Sequence, residues 1–491
     1  MGDAIQQIIG SFGLYQLIIF FVVSLSRIFI GYHMLIFIFL APETTYFCDG
    51  DPNKNNTCPC ENPVYDRSVF TNTILMKWNL ICEKGLLDNL AYTLYHLGSL
   101  FGSLLFGAFS DAYGRKYALW ASGVLQFVTS ISSAGVDNFI LFTTLRFFLG
   151  VAVGGSMIIS FVYIMETVGS KHRERLSGLH KAPFALGHCL LPVFAYFIRD
   201  FQEMLFWTSI GQFFMLTYIF LPESPRWLIA TNKLDEAVAI LTKIAQINGR
   251  STANMKTHVI RYHESLQKYE DLKRKHAHEL LSTKQMRKHT IVMAYLWFSC
   301  SFCFYGVAIY IGHLPGNIFL NVGCSGVFGV IGNVVFISMM QRYGRKQLIS
   351  IMNFVAFTCF VMVSFMQDYG EMLFSTLGFC ATTIVFVLLY MFTLELFPTV
   401  VRNTALGVTN MCGRVGAMLA AFVVEANRFN KCVPPIIFCL PPLIAGFVAF
   451  LLPETKGVIL STTIKESEAV VARSPTDKYV LEDLSDYDTL F

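Results

Sequence analysis

Apolar residues run in blocks of about 20 along nearly the whole chain, and the breaks between blocks are short and polar. A helix that crosses the hydrocarbon core of a bilayer needs about 20 mostly apolar residues. Twelve segments meet that need: 17–40, 89–110, 117–136, 139–165, 177–197, 204–221, 289–311, 317–340, 348–366, 372–394, 404–424 and 433–452. Lipid offers no water to an unpaired backbone, so each is predicted to be helical. The pattern therefore predicts an all-α membrane protein with twelve transmembrane helices. The opening MGDAIQQIIGSFGLYQ has no basic stretch and no small-residue cleavage site, so the first apolar block reads as a retained span.

Lys and Arg set the expected orientation. Arg115 and Lys116 follow the second span, and Lys171, Arg173 and Arg175 follow the fourth. The stretch 222–288 after the sixth is dense in Lys, Arg and His; Arg342, Arg345 and Lys346 follow the eighth, and Arg402 follows the tenth. These connections and both termini are predicted to be cytoplasmic, with segment 41–88 outside. That segment holds Cys48, Cys58, Cys60 and Cys82, an even set suited to disulfides in an oxidising compartment, with three pairings open. It also holds the sequon Asn55-Asn56-Thr57, which makes Asn55 a glycosylation candidate.

The chain repeats itself at an offset of about 230 residues, each pair after the equivalent span. Gly114-Arg115-Lys116 recurs as Gly344-Arg345-Lys346. Glu166 and Arg173 recur as Glu395 and Arg402, and Pro222-Glu223-Ser224 as Pro453-Glu454-Thr455. Two parallel six-helix halves are implied, 1–221 and 289–452, joined by a cytoplasmic linker 222–288 and followed by a tail 453–491. Within the linker, 234–247 has apolar residues at helical spacing and predicts an amphipathic helix. Two halves that rock about a central site need charges that pair when one end shuts. Asp111, Gly114, Arg115, Glu166, Arg173, Glu223 and Arg226 in the first half, and Gly344, Arg345, Glu395, Arg402 and Glu454 in the second, are expected to form that cytoplasmic gate. The other role open to them is anchoring at the membrane interface.

Composition narrows the function. Charged residues make up 14% of the chain, against about 25% in soluble domains. A net charge of +4 gives no reason to expect a nucleic-acid partner. There is no phosphate-binding GxxxxGK[ST] and no His, Cys or acid cluster with metal spacing, so neither a cofactor nor an enzymatic activity is expected.

The motifs GAFSDAYGRK (107–116), RFFLGVAVGG (146–155), PESPRWL (222–228), ELFPTVVRNTALG (395–407) and LPETKG (452–457), with the cysteine-bearing loop, cover the chain almost end to end. In these the chain resembles the major facilitator superfamily, and within it the organic cation, anion and zwitterion transporters. It departs from that family at Ala112, where Arg is usual, and in having four loop cysteines where six are common. The resemblance implies a secondary transporter of small organic ions in the plasma membrane. It also implies a substrate cavity lined by His33, Phe184, His188, Phe304, Tyr305, Asn333, Phe386 and Arg414.

Arg414 carries most of the substrate expectation. It falls mid-way along the eleventh span between Gly413 and Gly416, where an ionisable group costs about 2.5–3.5 kcal/mol on insertion scales and usually faces a cavity. In the resembling cation transporters this position is Asp-like; in the anion and carnitine-type transporters it is Arg. A guanidinium can fork onto a carboxylate, so the cargo is expected to be an organic anion or zwitterion. Asn333 stands where the anion transporters tend to carry Lys, which favours one negative group over two. Arg27 has no counterpart. The alternatives are a cation carrier in which Arg414 is structural and, in a different class, a receptor or scaffold that does not transport. In the acidic tail, Thr489-Leu490-Phe491 has the form of a PDZ ligand and Tyr487-Asp488-Thr489-Leu490 that of a sorting signal.

Overall fold

The computed structural model describes residues 9–10, 12–48, 56–169, 172, 176, 178–270, 280–398, 401–428 and 430–456. Arg173, Asn55 and the tail motifs lie outside the described residues.

Twelve helices fall on the twelve apolar segments. They are α1 Leu14–Leu35, α2 Leu87–Tyr113, α3 Arg115–Ala134, α4 Phe139–Thr167, α5 Ala182–Phe197, α6 Phe201–Ile210, α7 Lys284–Gly312, α8 Ile318–Arg342, α9 Arg345–Val363, α10 Tyr369–Leu396, α11 Arg402–Glu425 and α12 Val433–Val448. Helix α6 continues as a tighter 3-10 helix, Gly211–Phe220. Among the described residues, eight helices are long and apolar enough to cross a membrane. The other four are α2 and α3, diluted by polar side chains, and α5 and α6, 16 and 10 residues long. Three helices that begin after short loops start in the same way. Asn138, Asp200 and Asn317 are extended and accept the first free N–H groups of α4, α6 and α8.

The packing repeats six helices on. Pairs α1–α5, α2–α4 and α3–α6 are matched by α7–α11, α8–α10 and α9–α12. Contact between the sets runs chiefly through α2–α11 and α5–α8. The α2–α4 contact is the closest. A Cβ on Gly98 or Gly102 would strike the α4 backbone, and one on Gly150 or Gly154 the α2 backbone, so the GxxxG spacing serves packing.

The apolar interior divides into three. One core draws on both helix sets at the end that carries residues 41–86, joining Phe37 and Tyr92 to Tyr305 and Ala421. At the opposite end the cores are separate. Tyr163, Trp227 and Leu241 belong to one, while Leu348, Tyr390 and Phe397 belong to the other. Among the described residues the two sets are therefore joined in one apolar core at the loop end and have separate apolar cores at the end with the GRK motifs.

Outside the bundle, strands β1 (Tyr46–Cys48) and β2 (Pro63–Tyr65) pair antiparallel. Disulfides Cys48–Cys60 and Cys58–Cys82 use all four candidate cysteines. The amphipathic stretch forms the helix Leu234–Ile247, burying Ala237, Leu241, Ile244 and Ala245. Asn248, which ends that helix, accepts from the Tyr15 N–H at 3.1 Å and donates to the Ile9 carbonyl at 2.8 Å and Gln16 Oε1 at 2.9 Å. The linker is thereby tied to the start of α1.

Candidate functional site

Between the helix sets, behind the loop-end seal, lies a narrow cavity with an aromatic lining. Six of the eight predicted residues line it: Phe184, His188, Phe304, Tyr305, Asn333 and Phe386. The aromatic wall is continuous. The Phe304 ring stands 5.2 Å from Phe386, 4.8 Å from Phe379 and 6.2 Å from Phe184, centre to centre. His188 on α5 is hydrogen-bonded through Nε2 to Ser325 on α8 at 3.2 Å, linking the two sets beside the cavity. Asn333 donates to the Gly329 carbonyl at 2.8 Å and keeps its buried Oδ1 as an open acceptor.

Arg414 stands directly behind this lining. Its guanidinium reaches the Tyr305 hydroxyl at 3.4 Å and the Met157 sulfur at 3.1 Å, and both of those residues line the cavity. His33 is a correction. Its Nε2 is hydrogen-bonded to Gln212 and to Ser130, inside the first helix set and away from the cavity. Helical geometry supplies the reason: six residues at about 100° each turn His33 to a different face from Arg27.

Arg27 takes the cavity face instead. Its Nε donates to His180 Nε2 at 2.9 Å and its Nη2 to the Met157 carbonyl at 2.7 Å. A guanidinium can only donate, so His180 Nε2 accepts and the ring is neutral. The proton on Nδ1 then points to Ser24, 2.8 Å away.

Lys181 is the residue that the sequence reading missed. It lies at the start of α5, 9% exposed, with its ammonium 3.1 Å from the centre of the Tyr390 ring and 3.4 Å from the Phe386 carbonyl. The signal was present: Lys181 lies inside the predicted fifth span, and an ionisable residue in a span is a candidate by the same rule that selected Arg414. The cavity thus has three basic side chains around it, where the sequence count was one. Among the described residues no Asp or Glu lines it, and no carboxylate pairs with Arg27, Lys181 or Arg414.

The motif end has the opposite character. Arg115 holds Glu166 through Nε and Nη2, at 3.2 and 2.9 Å, and Asp111 through Nη1 at 2.9 Å. The Glu223 carboxylate accepts the backbone N–H groups of Arg115 and Lys116 at 2.9 and 3.2 Å. Burial pushes the Glu223 carboxyl up from its ordinary value, and those N–H donors oppose the shift. The second half repeats the arrangement. Arg345 holds Glu395 at 3.3 Å, and Glu454 accepts from the Arg345 and Lys346 N–H groups at 2.7 and 3.2 Å. Gly114 and Gly344 leave room for Glu223 and Glu454, whose oxygens occupy the place a Cβ would take.

The ion pairs Arg115–Asp111, Arg115–Glu166 and Arg345–Glu395 each join residues of one half. Arg402 donates to the Phe397 carbonyl at 3.2 Å, closing its own turn, and one of its buried Nη atoms has no partner among the described residues. Arg226 lies half-buried on the helix Pro225–Ala230.

Comparison with known proteins agrees with this architecture. The family described as "Sugar (and other) transporter" matches residues 19–466. The chain is 31% identical to the "Organic cation transporter protein" of Drosophila melanogaster, over 85% of this chain and 78% of that one. It is 31% identical to "Solute carrier family 22 member 6-B" of Xenopus laevis, over 84% and 76%. Among solved structures, the inward open conformation of the xylose transporter XylE from E. coli superposes with a TM-score of 0.69 at 19% identity, covering 93% of this chain and all of that one, which speaks to the fold alone. A repeated helical bundle with a central cavity, a family match over most of its length and transporters as relatives lead to one conclusion: the chain belongs to the sugar (and other) transporter family of the major facilitator superfamily, on its organic-ion branch, and is a multi-pass membrane transporter rather than an enzyme.

Proposed function

We propose that the protein carries small organic anions, zwitterions included, across the plasma membrane by alternating access. One observation carries the choice of charge: three basic side chains, Arg27, Lys181 and Arg414, stand around a cavity that no carboxylate among the described residues lines. A cationic cargo would enter that field with nothing to offset it. An anionic cargo supplies the charge that the site lacks, and in a low-dielectric chamber such a pairing outweighs its value in water. The aromatic wall of Phe184, Phe304 and Phe386 takes the cargo's apolar body.

In this proposal residues 41–86 face outward and the GRK motifs face the cytoplasm. The seal at the loop end then makes this the inward-facing state. The clusters around Arg115 and Arg345 lock each half as a rigid body, and the halves, 1–221 and 289–452, rock against each other about α2–α11 and α5–α8.

The test is uptake into liposomes of the purified protein, with labelled benzoate, carnitine and tetraethylammonium. Benzoate or carnitine uptake should exceed tetraethylammonium uptake and should fall in Arg414→Ala. Tetraethylammonium uptake that dominates and survives Arg414→Ala would sink the assignment.

A further inference from the structure

We propose that Phe319 is the latch of the outer gate, and that the disulfide-bearing loop is a moving part of that gate because it supplies Phe70 to the cage that holds Phe319. This rests on the alternating-access reading above and is independent of the charge of the cargo.

Phe319 sits in the first turn of α8, in the second half. Asn317 fixes that turn, its side-chain oxygen accepting the N–H groups of Phe319 and Leu320 at 2.9 and 3.4 Å. Every ring that Phe319 meets among the described residues belongs to the first half. It stacks on Phe39 at 5.9 Å with 9° between the planes, and it meets Phe70 at 5.5 Å and Tyr196, edge-on, at 5.5 Å. Phe39 and Phe70 are buried. Phe319 is half-buried, at the floor of an open vestibule that Tyr196, Arg199 and His313 also line.

The loop brings Phe70 to this cage as part of the first half. The Thr71 N–H donates to the Arg199 carbonyl at 3.1 Å, and the Phe201 N–H to the Asn72 carbonyl at 3.2 Å. Lys77 reaches the Asp137 carboxylate at 2.7 Å. Trp78 donates to the Asp137 carbonyl at 2.7 Å, with its ring 4.9 Å from that of Phe142. All these anchors lie in the first half, so loop and half move as one body. The cage of Phe39, Phe70 and Tyr196 travels with the first half, and Phe319 with the second.

The clasp closes the outer end of the α5–α8 seam. Tyr196 faces Phe319 at that end; further in, His188 faces Ser325, hydrogen-bonded at 3.2 Å beside the cavity. Parting the seam at its outer end requires Phe319 to leave its cage. Ring contacts fall away steeply with distance, so the clasp has two states, engaged and released. Losing it therefore shifts the carrier toward the outward-facing state.

Hydrogen–deuterium exchange of the full chain in lipid nanodiscs, read by mass spectrometry, tests this with no cargo present. Phe319→Ala should speed exchange at least about threefold in 36–41 and 314–325, at the outer end. It should also slow exchange in 178–186 and 390–397, at the opposite end, because the outward-facing state closes that side. A residue that only packs the outer end would loosen that end alone. Phe70→Ala should act in the same direction, and Phe319→Tyr should keep the wild-type pattern. Monodisperse elution of each variant separates a released clasp from a lost fold. Unaltered exchange at both ends in Phe319→Ala, or faster exchange at the outer end alone, overturns the proposal. If the wild-type protein still takes up any of the three labelled probes in that event, the alternating-access carrier stands without this latch.

Discussion

The arginines at the helix ends and the cations around the cavity occupy the same bilayer-embedded scaffold, yet they are treated in opposite ways. Arg115 and Arg345 each meet a carboxylate and a backbone carbonyl five residues back, so their charge is spent inside the protein. Arg27, Lys181 and Arg414 meet a neutral imidazole, methionine sulfurs, a phenol, carbonyls and a ring face. The first group is arranged for stability and the second leaves charge in reserve. The lesson is that a buried cation's partner, more than its burial, tells whether it works for the fold or for a ligand.

The sharpest way to break this contrast is at Arg414. Removing one partner of a desolvated charge pair costs about 2–5 kcal/mol, so Arg414→Ala should reduce anion kcat/KM at least about thirtyfold. The thermal midpoint of the empty protein should not fall, because no carboxylate is stranded. A variant that loses stability and transport together would place Arg414 with the structural arginines.

Next in size is the mirror experiment at the helix ends. Arg115→Ala takes the guanidinium from Glu166, which is 19% exposed, and Arg345→Ala takes it from Glu395, which is 20% exposed and keeps its hydrogen bond from Thr455. Breaking a fully buried pair costs about 3–5 kcal/mol, and these partly exposed ones about 2 kcal/mol. Thermal melting in detergent should show both losses, with the relative preference among anions unchanged. A smaller penalty for Arg345→Ala would fit the Thr455 hydrogen bond that Glu395 keeps; a change of substrate preference would contradict a purely structural role for these arginines.

Smaller still is Lys181→Met. An isosteric apolar side chain removes an uncompensated charge and keeps the volume, so the empty protein should be stabilised by about 1 kcal/mol while anion transport falls. Stabilisation with lost function is what a charge in reserve predicts; destabilisation would mean that the contact with Tyr390 is structural.

How much of this was legible in the sequence follows from which constraint is local. Helices α1–α12 were readable because lipid forces every apolar block into a helix, and the recurrence of Gly-Arg-Lys gave the repeat. Arg414 was readable because it lies mid-span. Lys181 was passed over because it lies near the start of its span, where a basic residue passes for a topology signal. His33 was assigned to the cavity by resemblance, although its spacing from Arg27 alone puts the two on different faces. The partners of the gate charges were not legible at all. An offset of about 230 residues says which charges recur, but only the packing of α2 on α4 decides that Arg115 turns to Glu166 in its own half.

The smallest expected effect tests whether the two end clusters are copies or only relatives. Asp111 pairs with Arg115 at 2.9 Å, but its side chain is 77% exposed, and the corresponding position in the second half is Gln341. An exposed pair of this spacing is worth about 0.3–0.5 kcal/mol. Asp111→Asn should therefore shift the melting midpoint far less than Glu166→Gln, which removes the carboxylate that Arg115 engages through two nitrogens. The second half already does without an acid at that place, so the bidentate glutamate is the common element. If Asp111→Asn proved as damaging as Glu166→Gln, the first cluster would depend on a charge that its counterpart never had. The paired arginines could then no longer be treated as one class set against the cations of the cavity.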